Sequence, residues 1–159
     1  MIKESLYNLC LDDIDTKYVM FMDNDIYSND VDWIKKIIEK LDKVGDTHFI
    51  QCFKTVEDEC DKSYIFNSIK QYNRTLEGNC NPGCCWAMMT KHIQHGFNPY
   101  CIWGGGDHVF YKEHIVDEYE VPYDDKIQIG YDTTIRNIDK KFYVDDIDCD
   151  VVHCYHGGL

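Results

Sequence analysis

Residues 18–25, Tyr-Val-Met-Phe-Met-Asp-Asn-Asp, run apolar and then stop on two carboxylates one residue apart, Asp23 and Asp25. An apolar run of this kind reads as a buried strand, and if its geometry carries on through Asn24 the two acids leave the same face. Carboxylates held together repel each other. A divalent cation removes that repulsion, and hard oxygen ligands suit Mg²⁺ or Mn²⁺ with a phosphate completing the shell. The same residues also read as a strand ending in a turn, because Asn and Asp are turn formers. Two further polar clusters follow. Gly104-Gly105-Gly106 must be irregular backbone, and Asp107 then stands where it can cap a helix whose first N–H groups face the same place. His153-Cys154-Tyr155-His156 could hold a cation through one imidazole, or present two ordinary surface histidines. A different metal candidate uses Cys80, Cys84, Cys85, His92 and His95, but it lacks a CxxC pair and fits no standard zinc finger.

These residues need elements to hold them. Ile2, Leu6, Leu9 and Cys10 recur at helical spacing and predict a helix over 2–13 feeding a strand at 18–22. Ser28-Asn29-Asp30 supplies capping types, Val31, Ile34, Ile37, Ile38 and Leu41 form an apolar stripe, and Gly45 is a natural stop. Residues 48–53 read as a second strand, so strand, helix and strand predict the βαβ unit of a parallel sheet. Over 55–82 the signals are mixed and predict a loop with a helix near 63–74. Cys85 to Met89 returns to strand character, and Thr90 opens a short helix through His95. Asp107 begins a helix reaching Glu113, another helix covers 132–142, and Val151, Val152 and Cys154 suggest a last strand carrying His153 and His156. The fold class is α/β, in a single domain over residues 1–159.

Composition narrows the partners. The formal net charge of −13, from 29 acids against 16 Lys and Arg, argues against a nucleic-acid backbone and an anionic membrane surface. An acidic chain that handles a phosphorylated ligand needs a metal to reconcile the charges. No stretch has the length of a membrane span, and the first residues lack a signal peptide's apolar core, so a soluble, cytoplasmic protein is expected. The nine cysteines are an odd number with no secretion signal, which predicts mostly reduced thiols.

Taken in order, four blocks carry a resemblance: Tyr18 to Asp25, Asn81-Pro82-Gly83-Cys84-Cys85-Trp86-Ala87-Met88, Trp103-Gly104-Gly105-Gly106-Asp107, and His153-Cys154-Tyr155-His156-Gly157. Together, from residue 16 onward, they resemble a GT-A fold glycosyltransferase. The set is similar to family-2-like enzymes and to the C-terminal catalytic part of the β-1,4-galactosyltransferase and polypeptide N-acetylgalactosaminyltransferase group. The resemblance implies that Asp25 ligates Mn²⁺ or Mg²⁺, that Asp23 contacts ribose or metal, and that Asn24 lies with them at the donor. A late histidine completes the metal shell, His156 first and His153 second. The family's glycine-rich block usually reads Trp-Gly-Gly-Glu-Asp, so Asp107 matches its general base, while Gly106 stands where that Glu would be, a departure that bears on acceptor recognition. Trp86 with Ala87, Trp103, Gly105 and Gly106 would border the sugar pocket, the alternative for both tryptophans being core packing.

The activity implied is metal-dependent, inverting transfer from a UDP- or GDP-sugar to a hydroxyl of a glycan or protein acceptor. The resemblance also implies nucleotide-binding βαβ units before the acidic strand. Only residues 1–17 precede it, so the expected architecture is a GT-A-like fold lacking those N-terminal units. Two alternatives are kept. One is a catalytically incomplete remnant acting as an interaction or assembly module, as in a homodimer that rebuilds a sheet edge; the other is a small zinc-binding protein.

Overall fold

Residues 3–63, 65–71, 83–93, 96–97, 106–115 and 141–154, which the computed structural model describes, form a mixed α/β arrangement of two small sheets and few helices. In chain order these are α1 (Lys3–Leu11), β1 (Tyr18–Met22), β2 (Ile26–Tyr27), α2 (Trp33–Val44), β3 (His48–Gln51), β4 (Thr55–Asp58), β5 (Ile65–Asn67), β6 (Cys85–Met89), α3 (Gly106–His114), β7 (Tyr143–Asp146) and β8 (Asp150–His153). The first sheet runs β1-β6-β3-β7 and the second β2-β8-β4-β5.

The first sheet separates two apolar clusters by simple alternation of side chains. Val19, Phe21, Phe49, Trp86 and Met88 face one cluster, which α3 covers with Phe110 and Tyr111. Ile50, Cys85 and Ala87 face the other, where Trp33, Ile37 and Leu41 of α2 pack. β6 lies between β1 and β3 and is buried almost throughout, which is why its sequence reads as a continuous apolar run.

The expected βαβ unit is changed by that insertion. β1 and β3 each pair antiparallel with β6, so they run the same way without being neighbours; the direct parallel pair of this sheet is β3 with β7. The stripe on α2 is also rotated from expectation. Trp33 heads the buried face and donates its indole N–H to the Cys52 carbonyl at 2.7 Å, while Val31 is 99% exposed ahead of the helix and Ile34 and Ile38 are 49% and 43% exposed. Asp30 accepts the Asp32 N–H at 2.9 Å and pairs with Lys36, holding the chain back so that the helix starts at Trp33. Gly45 ends it at φ +59°, a left-handed conformation that glycine adopts without steric cost.

The helix expected near 63–74 is replaced, over 65–71, by β5 and a turn. Tertiary hydrogen bonds decide this. Ser68 and Gln71 donate to the buried Asp146 carboxylate at 2.6 and 2.7 Å, and the Ile69 N–H donates to buried Gln51 at 2.7 Å. Of the helix expected over 132–142, residues 132–140 lie outside the described residues, and Phe142 forms a bridge with Ile115. The short helix expected from Thr90 is a single 3₁₀ turn, Thr90–His92. Every described cysteine is a free thiol, and among the described residues no helix is long and apolar enough to cross a membrane.

Candidate functional site

β1 stops at Met22, and the Asp23 N–H continues its pairing by one rung, donating to the Cys84 carbonyl at 2.9 Å. The chain then turns, with the Ile26 N–H donating to the Asp23 carbonyl at 3.3 Å, and enters β2 in the second sheet. Strand geometry therefore does not persist through Asn24. Turn and site are two descriptions of the same residues: the acids sit where the chain crosses from one sheet to the other. Asn24 is exposed at the tip.

β8 closes on this turn from the far end of the sequence. It pairs antiparallel with β2, and beyond it the Cys154 N–H donates to the Asp25 carbonyl at 2.7 Å. On its other side β8 runs parallel to β4 with Asp58 opposite His153. The imidazole consequently lies between two carboxylates. Its Nε2 is 3.3 Å from Asp25 Oδ2 and its Nδ1 is 3.9 Å from Asp58 Oδ2. Asp58 in turn accepts the N–H groups of Asp61 and Cys60 at 3.0 and 2.9 Å, and these bonds hold its carboxyl below the usual carboxylate range.

Asp107 arrives from the other core cluster. It occupies the first turn of α3, whose position is set by buried Phe110 stacked on Phe49 at 5.8 Å. Asp23, Asp58, Asp107 and His153 line one cavity of about 250 Å³, bounded by Val56, Phe66, Gly83 and Cys84. Cys84 has φ 68°, an uncommon conformation for a non-glycine residue and one that tends to occur at functional sites.

The arrangement brings one carboxylate oxygen and one imidazole nitrogen together. Two ligands on adjacent corners of an octahedron with bonds of about 2.1 Å stand about 3 Å apart, close to the 3.3 Å between Asp25 Oδ2 and His153 Nε2. Carboxylate oxygen with one imidazole is a donor set that Mn²⁺ accepts. Among the described residues no group of three His, Cys, Asp or Glu side chains is placed to hold a metal ion.

The remaining expected residues divide. Gly106 opens α3 beside Asp107. Trp86, expected at the sugar, is instead 4% exposed in the core with its ring edge-on to Phe110, and Ala87 is buried in the opposite cluster. Trp103, Gly105 and His156 lie outside the described residues. The zinc candidates do not gather among the described residues: Cys84 and Cys85 belong to the cluster under α2, whereas His92 packs on Phe49 and Phe142 of the other. Asp58 and Cys84 were not singled out by sequence for this cavity. The available signal was Asp58-Glu59-Cys60-Asp61, whose first acid is spaced to accept the N–H groups that follow it. No protein-family model matches the chain, and neither a curated protein nor a solved structure matches it at a significant level.

Proposed function

We propose that this chain is a metal-dependent glycosyltransferase domain of GT-A-like architecture, transferring a sugar from a nucleotide-diphosphate donor to a glycan or protein hydroxyl with inversion. One observation carries the reading. Asp23, Asp107 and His153 come from three separate blocks of sequence and line one cavity, with Asp25 against the same histidine. In this reading Asp25 and His153 hold Mn²⁺ or Mg²⁺, and Asp23 faces the ribose or the metal. The cation supplies positive charge against the leaving diphosphate. Asp107 accepts the acceptor's hydroxyl proton as that oxygen bonds to the anomeric carbon and the bond to the diphosphate oxygen breaks. With Trp86 in the core, the sugar's apolar contacts fall to other residues.

The test is thermal unfolding with Mn²⁺ and UDP or GDP, with and without chelator. A ligand at a hundred times its Kd stabilises by about 2.7 kcal/mol, which for a chain of this size raises Tm by about 5–10 °C. No metal-dependent shift at millimolar ligand overturns the proposal.

The assembly reading has a separate observation in its favour. β1 is the last strand of its sheet among the described residues, and beside it an apolar cavity of about 310 Å³ is lined by Tyr18, Met20, Ile34 and Ile38. An apolar strand at the end of a sheet is a template for pairing with a second copy. Light scattering is expected to give twice the monomer mass in that case, with Ile34→Glu returning it to one. A monomer at high micromolar concentration excludes the homodimer.

A further inference from the structure

We propose that α1 guards the outer edge of β1, with the Tyr7 and Thr16 hydroxyls seated on the carbonyls that a second copy of the chain needs for pairing there. Such a guard rests on the homodimer of the assembly reading and regulates it.

Backbone directions along β1 are fixed by its two ends. The Lys17 carbonyl accepts the Thr90 N–H at 3.1 Å and the Asp23 N–H donates to the Cys84 carbonyl at 2.9 Å, so both residues turn toward the β6 side. That sense alternates in an antiparallel ladder, which turns the N–H and C=O groups of Tyr18, Met20 and Met22 to the open side of the sheet among the described residues. Two of those carbonyls are taken. Thr16 donates its hydroxyl to the Tyr18 carbonyl at 2.8 Å, and Tyr7 donates its hydroxyl to the Met22 carbonyl at 3.0 Å. Met20 lies midway. A two-fold axis beside Met20 pairs Tyr18 of each copy with Met22 of the other, and apart from the bonds between the two Met20 residues every hydrogen bond of that ladder accepts at a Tyr18 or Met22 carbonyl. The hydroxyls therefore occupy the acceptors that self-pairing uses.

Few contacts hold α1 in this place. The Tyr7 ring packs on Phe21 and Phe97 with centroids at 5.0 and 5.4 Å. The Asn8 amide donates to the Phe97 carbonyl at 2.8 Å and accepts the Phe97 N–H at 2.6 Å. Gly96 leaves the room this needs, since a Cβ there would stand 2.5 Å from Asn8 Oδ1. Leu6 and Leu9 of the same helix are 43% and 72% exposed. An element that commits so little apolar surface is of the kind that opens locally, and the Tyr7 hydroxyl leaves Met22 when it does.

Tyr7→Phe keeps the ring and removes only the hydroxyl, while Asn8→Ala loosens α1 without touching the edge. Sedimentation equilibrium of the full chain reads the dimer dissociation constant, and amide hydrogen exchange at Met20 and Met22 locates the contact. Both variants are expected to dimerise more tightly than the wild type, Tyr7→Phe by about 10–100-fold, because each wild-type dimer must break that bond in both copies. Protection at Met20 and Met22 should rise with protein concentration. A purely structural role for Tyr7 lowers Tm and leaves the dissociation constant unchanged. That result, or a dimer that leaves Met20 and Met22 unprotected, overturns the guard while a homodimer stands. If the wild type and both variants stay monomeric at high micromolar concentration, guard and homodimer fall together.

Discussion

Asp25→Ala is expected to erase the Mn²⁺-dependent rise in Tm, taking a shift of about 5–10 °C to none. The backbone at this position is held independently of the side chain, since the Asp25 carbonyl accepts the Cys154 N–H at 2.7 Å and the following residue enters β2. Alanine therefore keeps the turn and removes only the carboxylate that faces His153 Nε2. The cost to the metal-free fold should be about 1 kcal/mol, in the ordinary range for a substitution outside the core. Metal titrations of both proteins by differential scanning fluorimetry, with chelator as the baseline, read the two quantities separately. A variant that keeps the full Mn²⁺ shift removes Asp25 from the ligand set.

Asp107→Asn should act on a different quantity. An amide of the same shape cannot take a proton from an attacking hydroxyl, and losing a general base commonly lowers turnover by about 10²–10⁴-fold. The side chain sits on a helix fixed by buried Val109, Phe110 and Tyr111, so the substitution leaves the cavity wall in place. Sugar transfer, or hydrolysis of the sugar nucleotide in the absence of acceptor, should collapse while the shift with Mn²⁺ and nucleotide stays at the wild-type value. Turnover at the wild-type rate in Asp107→Asn would remove it from the reaction. The two substitutions thus divide binding from chemistry.

Local patterns made several elements legible in the sequence. The helix at 3–11, the apolar runs at 18–22 and 85–89, the helix opened beneath Asp107 and the strand bearing His153 are all seen, but in the first helix the expected stripe is displaced: Leu6, Leu9 and Cys10 are exposed and Tyr7 and Leu11 pack on the core instead. The strands follow from short apolar runs, while Asp107, expected to cap its helix, lies inside the first turn of α3, which Gly106 opens. What escaped depended on partners remote in sequence. Ile65 to Asn67 become a strand because β4 supplies the other half of the ladder, and Ser68 and Gln71 turn toward Asp146 rather than winding on. The rotation of α2 likewise reflects the Trp33 indole finding the Cys52 carbonyl. Asp58 entered the cavity for the same reason: its spacing marks a turn, and only the parallel pairing with β8 sets it against His153. Asp23 and Asp25 were legible as residue types, but the turn between the two sheets, rather than a continued strand, is what presents them.

The strap between Cys154 and the Asp25 carbonyl has a bearing on how the protein is made. During synthesis Asp23 and Asp25 emerge early, yet the strand that supplies His153 and pairs with β2 is among the last parts of the described chain to appear. Closing so long a loop is slow relative to local structure. Until it closes, the acidic turn has neither its imidazole nor its backbone partner. Formation of the Asp25–His153 pair is therefore coupled to the final docking step. A nascent chain, or one clipped ahead of Asp150, carries both acids without the histidine that pairs with Asp25, so the Asp25–His153 contact marks a finished molecule.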